Sequence, residues 1–261
     1  MSAFEQAGNY ILGAGRVLFA LQGQDDFRYI VETPEFTLTV ATEVTDLWGS
    51  DTPVSQKIAS SETQREYTGS FAAHDIAPEN LAIFFGGENT VIENDNVASI
   101  SDYLVTNVIK GRSYRIGRTA LNPRGVRGVS SVVVTGPSGT PAFVAGTDYV
   151  VDTRRGLVTV LETGSIPAAS TIEISCDVDD GEYIRVASTG AASIRGSLLF
   201  IAENTDGEDV DYEFPNVILR ADGDFSLKSR EEYQGLSFTM EINEDASGRA
   251  VYGEFPFVEE E

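Results

Sequence analysis

The chain is poor in the residues that catalyse, ligate and cross-link. It has one cysteine, Cys176, one histidine, His74, and one tryptophan, Trp48, among 261 residues. A lone cysteine closes no internal bridge, so the fold needs no oxidising compartment. Within TIEISCDV, Cys176 reads as a small core residue of a strand and not as a nucleophile. A zinc site built from several Cys and His ligands is excluded by the same scarcity. Ser-His-Asp catalysis would have to run through His74, and no G-x-S-x-G elbow presents a serine. His74 reads instead as a strand-end residue with a local hydrogen bond. Gly13-Ala14-Gly15 precedes a strand and no Gly-Lys-Ser/Thr follows, so it reads as a turn without a phosphate cradle. The acidic runs Asp177–Gly181 and Asp206–Asp211 lack the alternating ligands and terminal glutamate of a calcium loop. Carboxylate pairs for glycoside hydrolysis abound among 41 acids, but no spacing selects one and tryptophan is scarce. The expectation is a protein that is not an enzyme, with no cofactor, metal or catalytic residue.

Long apolar runs are also missing. Nothing approaches the ~18 consecutive apolar residues of a membrane span. There is no basic start leading into an apolar stretch and cleavage site, and no Asn-x-Ser/Thr acceptor. These absences favour a protein made and kept in a cytoplasm. Positive charge is scarce: 18 Lys and Arg against 41 Asp and Glu leave −23. That balance disfavours an isolated nucleic-acid binder and an anionic membrane as partner. The chain is not a disordered acidic tail, because 41% of it is hydrophobic and 10% aromatic. A chain of this length buries roughly 70–75% of its unfolded surface without staples.

What is abundant is alternation with a period of two, the mark of half-buried strands. In Phe36–Thr45, Phe36, Leu38, Val40 and Val44 oppose Thr37, Thr39, Ala41, Glu43 and Thr45. In Gln64–Phe71, a polar face of Gln64, Glu66, Thr68 and Ser70 opposes Arg65, Tyr67 and Phe71. In Leu236–Asn243, Leu236, Phe238, Met240 and Ile242 oppose Ser237, Thr239, Glu241 and Asn243. Further strands are expected at 16–21, 28–32, 131–135, 149–152, 157–161, 171–178, 183–187, 197–202, 211–214 and 217–220. Arg155-Gly156 and Asp222-Gly223 are expected hairpin turns. Many short strands with glycine-rich turns predict a sandwich or barrel. One helix interrupts them, with Pro78 at its first position, Asp75 as a cap, Glu79 favouring its N-terminus and Gly86-Gly87 ending it.

Two segments lack periodicity. Asp46–Thr63 carries Trp48 and reads either as a surface loop with Trp48 in the core or as a docking arm with an aromatic anchor. Lys110–Arg127 holds Lys110, Arg112, Arg115, Arg118, Arg124 and Arg127, while no acid lies between Asp102 and Asp148. This basic island reads as a solvated loop, a nucleic-acid patch working against the overall field, or a patch for the acidic surface of another copy. Residues 125–180 read as an inserted β elaboration of a domain formed by 1–124 and 181–261.

The phrases GAGRVLFA, RYIVETPEFTLTVATEVTDLWGS, QREYTGSFAAHDIAPENLAIFFGG and LLFIAENTDGEDVDYEFPNVILRADGDFSLKSREEYQGLSFTMEI resemble the major tail tube proteins of long-tailed, non-contractile bacteriophages. GTDYVVDTRRGLVTVL and IPAASTIEISCDVDD look like an elaboration found in phage tail proteins. The resemblance implies a mainly β fold, a β-sandwich or half-barrel with one short flanking α-helix and a β-rich elaboration. It implies a structural virion protein: hexameric rings stack helically into the tail tube, whose lumen, made negative by Glu43, Glu66 and Glu241, conducts DNA during ejection without binding it specifically. Its partners would be itself, the tape-measure protein, and the tail tip or baseplate and terminator proteins. It would reside in the virion tail, and in the host cytoplasm before assembly. Carried over, the resemblance makes Thr37, Thr39, Glu43, Gln64, Glu66, Thr68, Ser70, Ser237, Thr239 and Glu241 lumen-lining. Contacts between rings or subunits would use Trp48, Asp51, Pro53, Lys57 and Ile58, together with the six basic residues of 110–127. The competing readings are a monomeric carbohydrate-binding or adhesin-like β-sandwich, and a ring-forming terminator or baseplate component.

Overall fold

Alternating sequence becomes antiparallel strand throughout. The computed structural model describes residues 10–51, 53–94, 99–190 and 193–255. In chain order the elements are β1 (Gly15–Leu21), β2 (Arg28–Ile30), β3 (Phe36–Trp48), β4 (Lys57–Ala73), α1 (Pro78–Phe84), β5 (Gly87–Glu93), β6 (Ser99–Val105), β7 (Ser113–Arg115), β8 (Val129–Thr135), a 3-10 turn (Pro137–Gly139), β9 (Tyr149–Asp152), β10 (Leu157–Val160), β11 (Ile172–Val178), β12 (Glu182–Ser188), β13 (Ile194–Ala202), β14 (Asp211–Asp222), β15 (Leu236–Ile242) and β16 (Tyr252–Glu254). The fold is mainly β, with several antiparallel sheets and one short α-helix, as the sequence predicts. The acidic C-terminal run Val258–Glu261 lies outside the described residues.

Two units divide the chain. Unit 1 draws on Met1–Thr90 and Arg185–Glu261, and unit 2 on Val91–Ile184. The sequence places the elaboration at 125–180. Unit 2 starts well ahead of that, because β6 and β7 precede residue 125 yet pair with β11 and β10. β5 and β12, which carry the chain out of unit 1 and back, pair with each other.

Unit 1 is an eight-stranded sheet in the order β2-β1-β13-β14-β15-β4-β3, with β16 on β14. One face builds the core from Val17, Phe19, Phe71, Leu198, Phe214, Leu219, Phe238 and Met240, all at most 3% exposed. Each such side chain stabilises by roughly 1.5–3 kcal/mol relative to exposure. Helix α1 lays Leu81, Ile83 and Phe84 on this face. The Phe84 ring meets Phe238 edge-on at 5.9 Å, and Phe238 stacks on Phe71 at 5.2 Å. Gly69 interrupts the core face of β4 for a reason: a Cβ there would stand 2.5 Å from the Thr37 carbonyl oxygen, with the Met240 methyl closer still.

The helix starts with Pro78 and Glu79 in its first turn, as expected, but its cap position is Ala77 and no side chain caps it. Asp75 lies two residues too early for that role. Its backbone oxygen instead accepts a bond from the Asn80 side chain at 2.9 Å. Gly86, at φ +56, ends the helix in the left-handed conformation that glycine tolerates. The two strands expected at 211–214 and 217–220 are one strand, β14. A bulge opposite Gly196–Leu198 absorbs Pro215, which has no N–H to give the ladder. Asp222-Gly223 does not close a tight hairpin, since residues 223–235 separate β14 from β15. Arg155-Gly156 does lie in the short turn between β9 and β10, with Gly156 at φ +62.

Unit 2 contains two three-stranded sheets, β7-β10-β9 and β6-β11-β8. Its core gathers Val108, Ile116, Val158, Val160, Ile166, Ile172, Ile174 and Cys176. Burial, and then the neighbouring Asp177, push the Cys176 thiol up, away from the reactive thiolate. Asp148 is buried, and its carboxylate accepts the N–H groups of Ser165 at 2.6 Å and Val144 at 2.8 Å. Those bonds hold its pKa below the ordinary aspartate range.

Candidate assembly surfaces

Register decides which side chains share a face. In β3 and β4, Thr37 pairs with Ser70, Thr39 with Thr68, Ala41 with Glu66 and Glu43 with Gln64. Across β4 and β15, Ser70 faces Thr239 and Thr68 faces Glu241, while Ser237 faces Ala72. All ten sequence-predicted polar residues therefore stand on the face of the unit 1 sheet opposite its aromatic core. The hydroxyls of Thr37 and Ser70 hydrogen-bond across the strands at 2.8 Å. Thr39, Thr68, Ser70 and Thr239 line a shallow polar groove on this face.

The next strand adds residues that sequence reading missed. Arg220 pairs with Thr239 and Asp222 with Ser237 in the β14–β15 register. The Arg220 guanidinium donates to Glu241 at 2.7 Å. Glu241 is thus neutralised by a neighbour, and the unbalanced acids on this face are Glu43, Glu66 and Asp222. The signal was present in the strand expected at 217–220, whose even residue Arg220 falls opposite a polar one.

The segment 46–63 is not a long irregular loop. β3 runs through Trp48 and β4 begins at Lys57, so only residues 49–56 connect them. Bulges between Glu43 and Val44 and between Leu47 and Trp48 shift the register and blur the alternation that would have revealed the strands. Trp48 is 56% exposed and does not enter the core. It pairs with Lys57, whose ammonium reaches Asp46 at 2.6 Å, and Ser60 donates to the same carboxylate at 2.8 Å. These bonds lower the Asp46 pKa. Asp51 and Pro53 sit in the connection, and Ile58 lies in β4 close to Gly49. Leu47, Val54 and Ile58 are exposed with Trp48, so the hairpin end is apolar.

β3 is also an edge strand of the sheet. After Phe36 every residue of β3 is exposed, including Leu38, Val40 and Val44. A long exposed edge with apolar side chains is a template for pairing with another chain. Charge is uneven as well: unit 2 holds eight of the 18 basic and eleven of the 41 acidic residues, so unit 1 carries −20 and unit 2 only −3.

The basic island proves partly structural. Lys110 donates to the Gly164 carbonyl at 2.7 Å, and Arg115 to that of Arg124 at 3.0 Å. The Arg127 guanidinium lies over the Tyr183 ring, 4.9 Å from its centroid. Arg112, Arg118 and Arg124 are exposed, with no side-chain bond or ion pair among the described residues. The segment is not wholly irregular either, since it contains β7. His74 follows β4 directly, and its backbone N–H donates to the Glu32 carbonyl at 3.0 Å. Among the described residues no group of His, Cys, Asp and Glu is arranged to hold a metal ion. Among the described residues no helix is long and apolar enough to cross a membrane.

Unit 1 thus presents a polar sheet face, an edge strand in β3 and an apolar hairpin end. Residues 10–257 match the family described as protein of unknown function UCP028589, and the chain belongs to that family. No curated protein matches the chain.

Proposed function

We propose that this protein is a self-assembling structural subunit, the major tail tube protein of a long-tailed, non-contractile bacteriophage. The observation that carries the reading is the β3–β4 hairpin. It combines a 13-residue edge strand, unpaired on its outer side among the described residues, with an apolar end and a face that is polar except for Ala41. In the proposed assembly the β3 edge joins a neighbouring copy, copies close into a hexameric ring, and rings stack through the hairpin ends. The polar face of β3, β4, β15 and β14 then lines the bore. Hydroxyls and carboxylates suit a water-filled lumen as they suit the interior of a large barrel. Glu43, Glu66 and Asp222 repel phosphate, and Arg220 is already paired with Glu241, so DNA slides past a wall of net negative charge. Tape-measure, tip and terminator proteins are the remaining partners in this reading.

Negative-stain electron microscopy of the purified chain at rising concentration tests it. Hollow tubes with stacked rings are expected. A protein that forms only single closed rings would instead be a terminator or baseplate component. One that stays monomeric and binds glycans would be a binding module.

A further inference from the structure

Between Arg118 and Gly125 unit 2 carries an exposed turn closed by its own hydrogen bonds. The Thr119 hydroxyl accepts the Asn122 N–H at 2.9 Å, and the Thr119 N–H donates back to the Asn122 carbonyl at 3.0 Å. The Asn122 side chain donates to the Gly125 carbonyl at 2.9 Å, and Arg115 clamps the Arg124 carbonyl. Within this turn Leu121 is 99% exposed, and exposed Arg118 and Arg124, without a side-chain bond among the described residues, flank it three residues away on either side in sequence. A fully solvated leucine on a hydrogen-bonded turn that also carries two arginines is costly to keep in water, and the closed turn leaves less backbone to order on binding.

Unit 1 offers its chemical complement. A cavity of about 310 Å³ opens between β1, β2, α1 and β5. Its floor is apolar, with Phe19, Ala82 and Ile83, and its rim carries Asp26, Glu79 and Glu88. The one cation among the residues that line it, Arg28, is half-buried, donates to the Asn80 side-chain oxygen Oδ1 at 2.7 Å and is flanked by the charges of Glu79 and Asp75. The rim is therefore left with excess negative charge, inside a unit that carries −20.

We infer that the Leu121 turn of one copy inserts into this cavity on a second copy, with Arg118 and Arg124 meeting the acidic rim. The occupant is a second copy because the chain itself supplies both halves, apolar side chain to apolar floor and arginines to acidic rim. Such a contact is heterologous and repeats from copy to copy. It also offsets the mutual repulsion of strongly acidic subunits, which acts over about 8 Å at physiological salt. This contact rests on the proposed self-assembly and assigns part of its interface.

Charge reversal at exposed positions tests it. Arg118→Glu/Arg124→Glu and Asp26→Lys/Glu88→Lys should each leave the melting temperature close to wild type. Each should raise the concentration threshold for polymerisation about tenfold or more, since opposed like charges at an interface cost several kcal/mol. All four reversals in one chain should return the threshold close to wild type. Polymerisation of either double variant at the wild-type threshold, or no recovery in the quadruple variant, overturns the contact while leaving the tube reading standing. A wild-type chain that never associates overturns both. As a second readout, Leu121→Cys chains mixed with Glu88→Cys chains should oxidise to a disulfide-linked dimer that neither variant forms alone. Cys176, buried in the unit 2 core, does not interfere. Failure of the mixture to cross-link under conditions where wild type polymerises also overturns the contact.

Discussion

The β3 edge allows a perturbation whose effects on folding and on assembly separate. Val40 and Val44 are 53% and 51% exposed, so about half of each side chain remains available for burial against another copy. Burying a valine completely stabilises by roughly 1.5–3 kcal/mol, which leaves about 1 kcal/mol per residue for the interface. Replacing both by lysine removes about 2 kcal/mol per junction, and at 1.4 kcal/mol per tenfold this raises the association threshold roughly 30-fold. The true shift should be larger, because inward-facing lysines on an edge strand are a direct barrier to edge pairing. Within the monomer the same substitutions touch solvent-exposed positions, where changes usually stay within about 0.5 kcal/mol. Sedimentation velocity across a concentration series, with a denaturant melt in parallel, reads both quantities. A Val40→Lys/Val44→Lys variant that assembles at the wild-type threshold would refute the role given to this edge. A variant that loses several kcal/mol of monomer stability would show that these residues belong to the core.

Other consequences follow from the core and its buried polar groups. Phe238→Ala should cost about 3–5 kcal/mol in urea unfolding, because the ring is 2% exposed and packs on Phe71 and Phe84. Gly69→Val should destabilise by about 1–3 kcal/mol, since its side chain collides with the Thr37 backbone and the Met240 side chain; the same melt reads it. The Asp148 and Asp245 carboxylates are held below the aspartate value of 3.8 by hydrogen bonds, from the Ser165 and Val144 backbone in one case and led by the Tyr252 hydroxyl in the other. Their stabilisation is complete above that value and drains away as pH falls through their lower folded-state values. Thermal melts should therefore decline below about pH 4, and Asp245→Asn should flatten that decline. An acid profile identical to wild type would remove Asp245 from the account.

How much of this was legible in the sequence depended on burial. In Leu236–Ile242 one face packs and the other is wetter, and in Phe36–Thr45 the same alternation persists although only Phe36 is shielded, so in both the pattern marked the strand and its two faces. The ten polar residues fall on one face for that reason. From Glu43 onward two bulges shift the register and break the parity of the alternation. That is why 46–63 read as a loop. Pro215 split β14 in the reading because a proline in a strand normally ends it, and only the pairing with β13 shows the bulge that accommodates it. The basic segment was visible as composition. Its division into structural Lys110 and Arg115 and exposed Arg112, Arg118 and Arg124 depends on where the Gly164 and Arg124 carbonyls fall in the fold, which spacing does not encode. Arg220 was missed as the partner of Glu241 for the same reason: the two are neighbours only through the β14–β15 register.

The most direct measurement is a cryo-electron microscopy reconstruction of whatever polymer the purified chain forms. The account predicts a hollow tube in which Thr39, Thr68, Thr239 and the Arg220–Glu241 pair face the bore and β3 pairs with a strand of the adjacent copy. A polymer with this polar face on its outer surface, or with β3 left unpaired, would contradict it.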